Sequence, residues 1–415
     1  MAGSRADSAQ DDTRGDVCVN LGLLQDTTNE GRMKETIYQE ALALQKETAA
    51  HRRYLHEHAE AGLHLPKTFA YIRGVLEADG IAVTPCGEGL VAEIGKGERL
   101  ILLRADADAL PMREESGEVF ASQGEAAHTC GHDFHAAMLL SAAKILKKRE
   151  DSLGVRVKLM FQPAEEPLIG CRNMIENGLL AEKPDFAFAL HVGAGKTPAG
   201  QILYNAGGVM MLSCDRFRIS LYGKGGHAAY PQFARDPLAA AVKLYEALES
   251  MMVKEKAPER SAVLSIGRFV AGEADNVIPE SACLEGSLRT DDKALQKTLL
   301  ARIEALAKGY ADLYGLRTEF ELFAHVPPLV CDKVLTERVI DALSSENLSF
   351  VSNIKASASE DFALIAAEVP SCYLYLTAGF ADARGDYPAH NPKVVFDESV
   401  LPIGAMAYAL VCFLS

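Results

Sequence analysis

The chain reads as an α/β protein interrupted by a small α+β insert, and three observations predict this. The first is length: 415 residues exceed what one ordinary hydrophobic core organises, so two domains are expected. The second is that short apolar strands repeatedly end on groups able to hold a metal or move a proton. RLILLRADAD ends on Asp106 and Asp108, VRVKLMFQPAEEP delivers Glu165 and Glu166, and FAFALHV carries His191. Such side chains at the ends of buried strands mark the carboxyl edge of an α/β sheet, where sites of this class lie. The third is a change of pattern between residues 212 and 323, where strand, helix, strand, strand, helix and strand follow in the order of a ferredoxin-like sandwich.

Residues 1–32 are polar, small and charged with both signs, without an apolar run, so they read as a loosely ordered extension and not as a secretory signal. Residues 33–211 open the main domain. Lys34 to Arg53 has helical spacing of apolar residues, and LPKTFAYIRGVLEADGI forms a second helix that Gly80 stops. The strands GLVAEIG and RLILLRADAD follow. Beyond HTCGHDFH, AAMLLSAAKIL reads as an amphipathic helix with Met138, Ala142, Ile145 and Leu146 near one face. The insert contains CDRFRISLYG, a helix from Pro237 to Met252, the strands SAVLSIGRFV and SACLEGSLR, a helix from Lys293 to Tyr314, and RTEFELF. Residues 324–415 return to alternating helix and strand, including SCYLYLTAG, and bring His390 in PAHNPKVVF.

Bulk composition narrows the function. With 48% hydrophobic and 24% charged residues the chain is an ordinary globular one. A net charge of −15 repels nucleic acid and anionic membranes at long range, so neither is expected as a partner. No apolar run reaches the roughly 20 residues that span a bilayer. Nine scattered cysteines, an odd number, read as reduced thiols and so as a cytoplasmic address.

HTCGHDFH, residues 128–135, packs His128, Cys130, His132, Asp133 and His135 into eight positions. Cys130 and His132 flank one glycine, which permits both side chains to converge on one ion. Asp133 and His135 then fall to supporting or substrate-side positions. A lone Cys-x-His pair is commonly a buried thiol beside a hydrogen-bonded imidazole, and adjacent glutamates are commonly a wet surface. Strand ends elsewhere that carry matching groups favour the metal in both cases. GKGGHAAYP places His227 after two glycines, consistent with a tight turn as much as with a mobile functional group. Asn276 in ADNVIPE and Arg289 in EGSLRT are unremarkable singly.

Taken together, RADADALP, HTCGHDFHAAMLL, FQPAEE, ALHVG, GKGGHAAYP, ADNVIPE, SASEDF and AHNP resemble, in order and spacing, the metallo-aminoacylase and carboxypeptidase superfamily. The resemblance is to its amidohydrolase branch, which contains hippurate hydrolases and auxin-conjugate hydrolases, and it runs from about Arg52 to the C-terminus. It implies a zinc-peptidase-like catalytic domain binding two divalent metals, with the insert serving as a lid and dimerisation domain. It implies that Cys130, His132, Glu166, His191 and His390 are the metal ligands and that Glu165 is the general base. Asp106, Asp108 and Asp133 would support the ligands. His227 would reach a neighbouring active site to steady the oxyanion, and Asn276 and Arg289 would bind substrate. Two departures stand out: HEHAEAGLH lacks the usual Pro-Glu-Leu-Gly, and Ala107 replaces a common methionine, so the entrance wall rather than the chemistry should differ.

The implied reaction cleaves the amide of N-acyl amino acids. The softness of Cys130 favours zinc, while imidazole and carboxylate also suit manganese, with cobalt or nickel possible. A dipeptidase or carboxypeptidase with the same metals is the nearest alternative. A cysteine nucleophile with His132 as its base would survive chelation. A retired enzyme kept as a small-molecule binder would have no use for Glu165.

Overall fold

The computed structural model describes residues 29–344 and 348–414. Residues 1–28 of the expected extension lie outside them, and Asn29 already opens a helix. The elements run α1 (Asn29–Ala43), α2 (Gln45–Glu57), α3 (Pro66–Ala78), β1 (Val83–Cys86), β2 (Gly89–Ile94), β3 (Leu100–Asp106) and α4 (His132–Lys147). Then come β4 (Arg156–Gln162), α5 (Gly170–Glu176), β5 (Phe186–Pro198), β6 (Gln201–Leu203) and β7 (Val209–Met211). The insert holds β8 (Cys214–Tyr222), β9 (Gly226–His227), α6 (Pro237–Glu255), β10 (Ala262–Ala271), β11 (Val277–Ile278), β12 (Ser281–Thr290), α7 (Lys293–Tyr314) and β13 (Arg317–Val326). The chain returns with β14 (Leu329–Val330), α8 (Lys333–Leu343), β15 (Ser349–Val351), α9 (Ala363–Ala366), β16 (Ser371–Gly379) and α10 (Leu401–Leu410).

The main sheet has eight strands in the order β1-β2-β4-β3-β5-β16-β6-β15. Its centre is parallel: β4, β3, β5 and β16 run the same way. β3 is buried at all seven positions, which its continuous run of leucine and isoleucine requires of a strand covered on both faces. One face carries a core built on Ile101, Leu103, Phe161 and Phe188 with helices α2, α3, α4, α8 and α10. On the other, Leu102 and Met160 pack with Met174 of α5 and with Phe362 and Ile365 at α9.

Two local expectations are corrected. The single helix expected over Lys34–Arg53 is two, broken at Leu44, so that α1 lies on α10 while α2 lies on α4. α4 is not amphipathic: 14 of its 16 residues are buried, because it sits between the sheet and the helices α2 and α10. Its polar residues are therefore buried groups that need partners.

The second sheet, β10-β12-β8-β13, is antiparallel, with α6 and α7 on one face. Its core of Phe217, Ile219, Leu244, Leu248, Leu299 and Ile303 is separate from the others. The strand-helix-strand-strand-helix-strand order matches the expected insert, although β13 runs on to Val326. Asp236 and Asp292 cap α6 and α7 by accepting from the first-turn amides.

Because the two cores are separate, Ile303→Ala should destabilise the second sheet by about 2–5 kcal/mol. Urea unfolding should then split into two phases, with metal binding retained through the first. A single cooperative loss of both would contradict separate cores.

Candidate active site

The floor of the site is a charge cluster at the end of β3. Arg104, 2% exposed in an otherwise apolar strand, cannot sit there unpaired. Its Nε donates to Gln162 Oε1 at 2.9 Å, Nη2 donates to Glu360 Oε1 at 2.7 Å, and Nη1 lies 2.8 Å from Asp106 Oδ2. Tyr373 donates its hydroxyl to Glu360 Oε2 at 2.8 Å, and Gln162 and the Cys171 amide donate to Asp361.

Glu165 and Glu166 follow β4 in a turn that the backbone reaches only under constraint. Ala164 and Leu168 have φ of +52° and +62°, the left-handed region that costs a side-chain-bearing residue about 1 kcal/mol or more. Gly170 lies so close beneath that a Cβ would meet the Pro163 carbonyl at 1.6 Å, so only glycine allows α5 to start there. Asp108 ties the turn down, accepting from the amides of Glu165 at 3.0 Å and Glu166 at 3.2 Å. Burial, reinforced by Glu360 and Asp361, holds the Glu165 carboxyl well above the usual carboxylate range.

Cys130 and His132 flank Gly131, whose φ is +91°; a Cβ there would come within 2.4 Å of Val192. His132 is the first residue of α4. Its Nδ1 donates to the Asp108 carbonyl at 2.9 Å, which fixes the ring so that Nε2 faces Asp106 Oδ2 at 3.6 Å. His191 likewise commits Nδ1 to a carbonyl at 2.6 Å and turns Nε2 to Cys130 Sγ at 3.6 Å. His390, held at φ +66°, places Nε2 at 3.4 Å from both Cys130 Sγ and Glu166 Oε1.

Two overlapping clusters, Cys130/His132/His191 and Cys130/Glu166/His390, thus have candidate ligand atoms within 4.8 Å of one another and share the thiol. His132 Nε2 and Glu166 Oε1 are buried without a hydrogen-bond partner among the described residues. A thiol, imidazole nitrogens and carboxylate oxygens that converge on one space, some of them without partners, make a donor set that fits divalent cations. Burial also pushes the Cys130 thiol up, so a cation must displace its proton to bind the sulfur.

Other residues lie elsewhere. Asp133 is turned to α2: its Oδ2 accepts from Arg52 Nε at 2.7 Å and His56 Nδ1 at 2.9 Å, and these partners hold it ionised against the opposing effect of burial. As a helix residue next to His132, it points off the ligand side. His135 accepts the Val192 amide on Nε2 and so donates from Nδ1 to Asp106, which leaves it no free ligand atom. His128 is pushed down to about 3, chiefly by burial, and is neutral. His227 and Asn276 are exposed together at the two-stranded β9–β11 sheet, where the Asn276 carbonyl accepts from the Ala228 amide. Neither joins a candidate metal cluster. Arg289 of β12 reaches across to the main domain and donates to Ser359 Oγ at 2.6 Å.

Arg104, Glu360, Asp361 and Tyr375 were not singled out from the sequence. The signal for the first was an arginine inside an apolar strand; for Glu360 and Asp361 it was SASEDF, a matching motif whose acids carried no assigned role.

The family described as Peptidase family M20/M25/M40 matches residues 102–413. The chain is 34% identical to an N-acetyl-L-cysteine deacetylase of Bacillus subtilis, over 86% of this chain and 85% of that one. It is 33% identical to a hippurate hydrolase of Campylobacter jejuni, over 89% and 97%. Among solved structures, a dinuclear metal binding peptidase of Bacillus subtilis superposes with a TM-score of 0.74 at 30% identity, covering 89% of this chain and 98% of that one.

Removing the central cation should be costly. Arg104→Met leaves Asp106, Glu360 and Asp361 without it and should lower stability by about 3–5 kcal/mol. Denaturant titration measures this, and a loss under about 1 kcal/mol would show that the carboxylates do not depend on it.

Proposed function

The chain belongs to peptidase family M20/M25/M40 and is a metal-dependent amidohydrolase; we propose that it hydrolyses N-acyl amino acids to an acyl acid and a free amino acid. The observation that carries this reading is the gathering of thiol, imidazole and carboxylate ligands beside a buried glutamate. Cys130, His132, Glu166, His191 and His390 would hold two divalent ions, zinc or manganese by their chemistry, with cobalt or nickel also accommodated. Such ions polarise the scissile carbonyl and make water acidic enough to attack near neutral pH.

The remaining chemistry belongs to the chain. Glu165, whose surroundings favour holding a proton, takes one from the attacking water and returns it to the departing amine nitrogen. Asp108 keeps that carboxyl in place by fastening its backbone and steadies His132 by accepting from its Nδ1, while Asp106 accepts from His135 beside them. Arg289 can form a forked pair with the free carboxylate of the amino acid, and Asn276 would be a second substrate contact from the insert.

His227 is exposed and joins no candidate metal cluster among the described residues, which suits an oxyanion donor delivered to a second subunit. A homodimer through the insert is supported by exposed Leu238, Val242 and Tyr245 along α6 and by Val263, Phe269 and Val270 on the edge strand β10. The eight described cysteines are unpaired, which agrees with a cytoplasmic address. Among the described residues no helix is long and apolar enough to cross a membrane.

A panel of N-acyl amino acids and dipeptides, run on metal-reconstituted protein, should show faster cleavage of the acyl compounds and no turnover after exhaustive chelation. Glu165→Gln should keep fold and bound metal while kcat falls by at least about 10²; unchanged turnover refutes the base. Mixing His227→Ala chains with Glu165→Gln chains should restore part of the activity, since each mixed dimer holds one intact site. No recovery would place His227 outside the partner's chemistry.

A further inference from the structure

β16 runs parallel to β5, with Tyr375 directly opposite His191, so both side chains leave the sheet on the same face. The Tyr375 ring lies 4.9 Å from the His191 ring, centre to centre, tilted by 37°. Two residues earlier, Tyr373 shares that face and is fully buried, its hydroxyl satisfied by Glu360. Tyr375 sits nearer the carboxyl edge, partly exposed, and its hydroxyl has no hydrogen-bond partner among the described residues.

That hydroxyl is the part of the side chain the fold does not use. A phenylalanine would stack on His191 equally well, so the hydroxyl is left for whatever enters the site. Stacked on His191, which closes on Cys130, the side chain lies on the face of the sheet that carries the candidate cluster, so its hydroxyl is a donor available to a bound carbonyl.

We propose that Tyr375 is a catalytic residue, its hydroxyl donating a hydrogen bond to the substrate carbonyl oxygen as that oxygen gains charge. No bond is made or broken at the phenol and its proton stays in place; the hydrogen bond strengthens toward the transition state. The site then holds an oxyanion donor of its own chain, beside the His227 proposed to come from a partner. The inference rests on the amidohydrolase reading above.

The test uses the full-length, metal-reconstituted Tyr375→Phe variant with metal content measured per chain. With N-benzoylglycine, kcat should fall on the order of 10² while KM stays within about threefold. The phosphinate in which P(O)O⁻ and CH2 replace the amide carbonyl and nitrogen of that compound should bind more weakly by a similar factor in calorimetry, with metal content unchanged. If kcat and phosphinate affinity both stay within about threefold of the parent, the hydroxyl is idle and the proposal falls. It falls equally if the variant loses metal, since Tyr375 would then be a support for His191. Turnover surviving in Glu165→Gln or after chelation would instead overturn the underlying reading, separately from Tyr375.

Discussion

A single guanidinium balances the negative charge on which the candidate site stands. Arg104 touches Asp106 and Glu360 directly, lies 3.3 Å from Asp361, and gains proton affinity from Glu165 as well. Carboxylates gathered in a dry interior repel one another and lose their hydration, at a cost of several kcal/mol each when uncompensated. One delocalised cation with donors fixed in a plane can serve several of them at once, which a lysine could not. Glu165 stands just outside that arrangement, among the charges of Glu360 and Asp361 but without a guanidinium hydrogen bond. A carboxyl so placed is a ready proton acceptor.

The rest of the site follows from rigid supports. Parallel strands deliver Asp106, Glu165, His191 and Tyr375 to the same edge, and residues held in the left-handed region aim the turns. Ala164, Leu168 and His390 keep strained backbone because packing and the Asp108 hydrogen bonds leave no alternative. Polar contacts tie the insert to the main domain: Arg289 holds Ser359, and Lys355 of the main domain holds Asp291 at 2.7 Å. Ser359 immediately precedes Glu360, so the insert is hydrogen-bonded to the segment that flanks the proposed base.

Much of this was legible in the residues themselves. The helix Lys293–Tyr314 and the strand SCYLYLTAG have the boundaries their periodicity indicates, because caps and apolar spacing are local properties. The family was legible because eight short motifs recur in order. Less was legible where burial decides the meaning. α4 has the spacing of an amphipathic helix yet is enclosed on all sides, since the helices that cover its outer face come from α2 and α10, far away in sequence. Asp133, adjacent to a candidate ligand, belongs to Arg52 and His56 because one step along a helix turns a side chain by about 100°.

The sequence by itself determined the family, the α/β class with its inserted α+β unit, and the residue types available for chemistry, since periodicity, turn residues and motif order survive without coordinates. Only the tertiary structure decided which groups meet. The convergence of His390 with Cys130, the balancing of Glu360 and Asp361 by Arg104, and the spare hydroxyl of Tyr375 beside His191 join residues separated by up to 260 positions. Such meetings depend on strand order and packing of the whole chain, which no local pattern encodes.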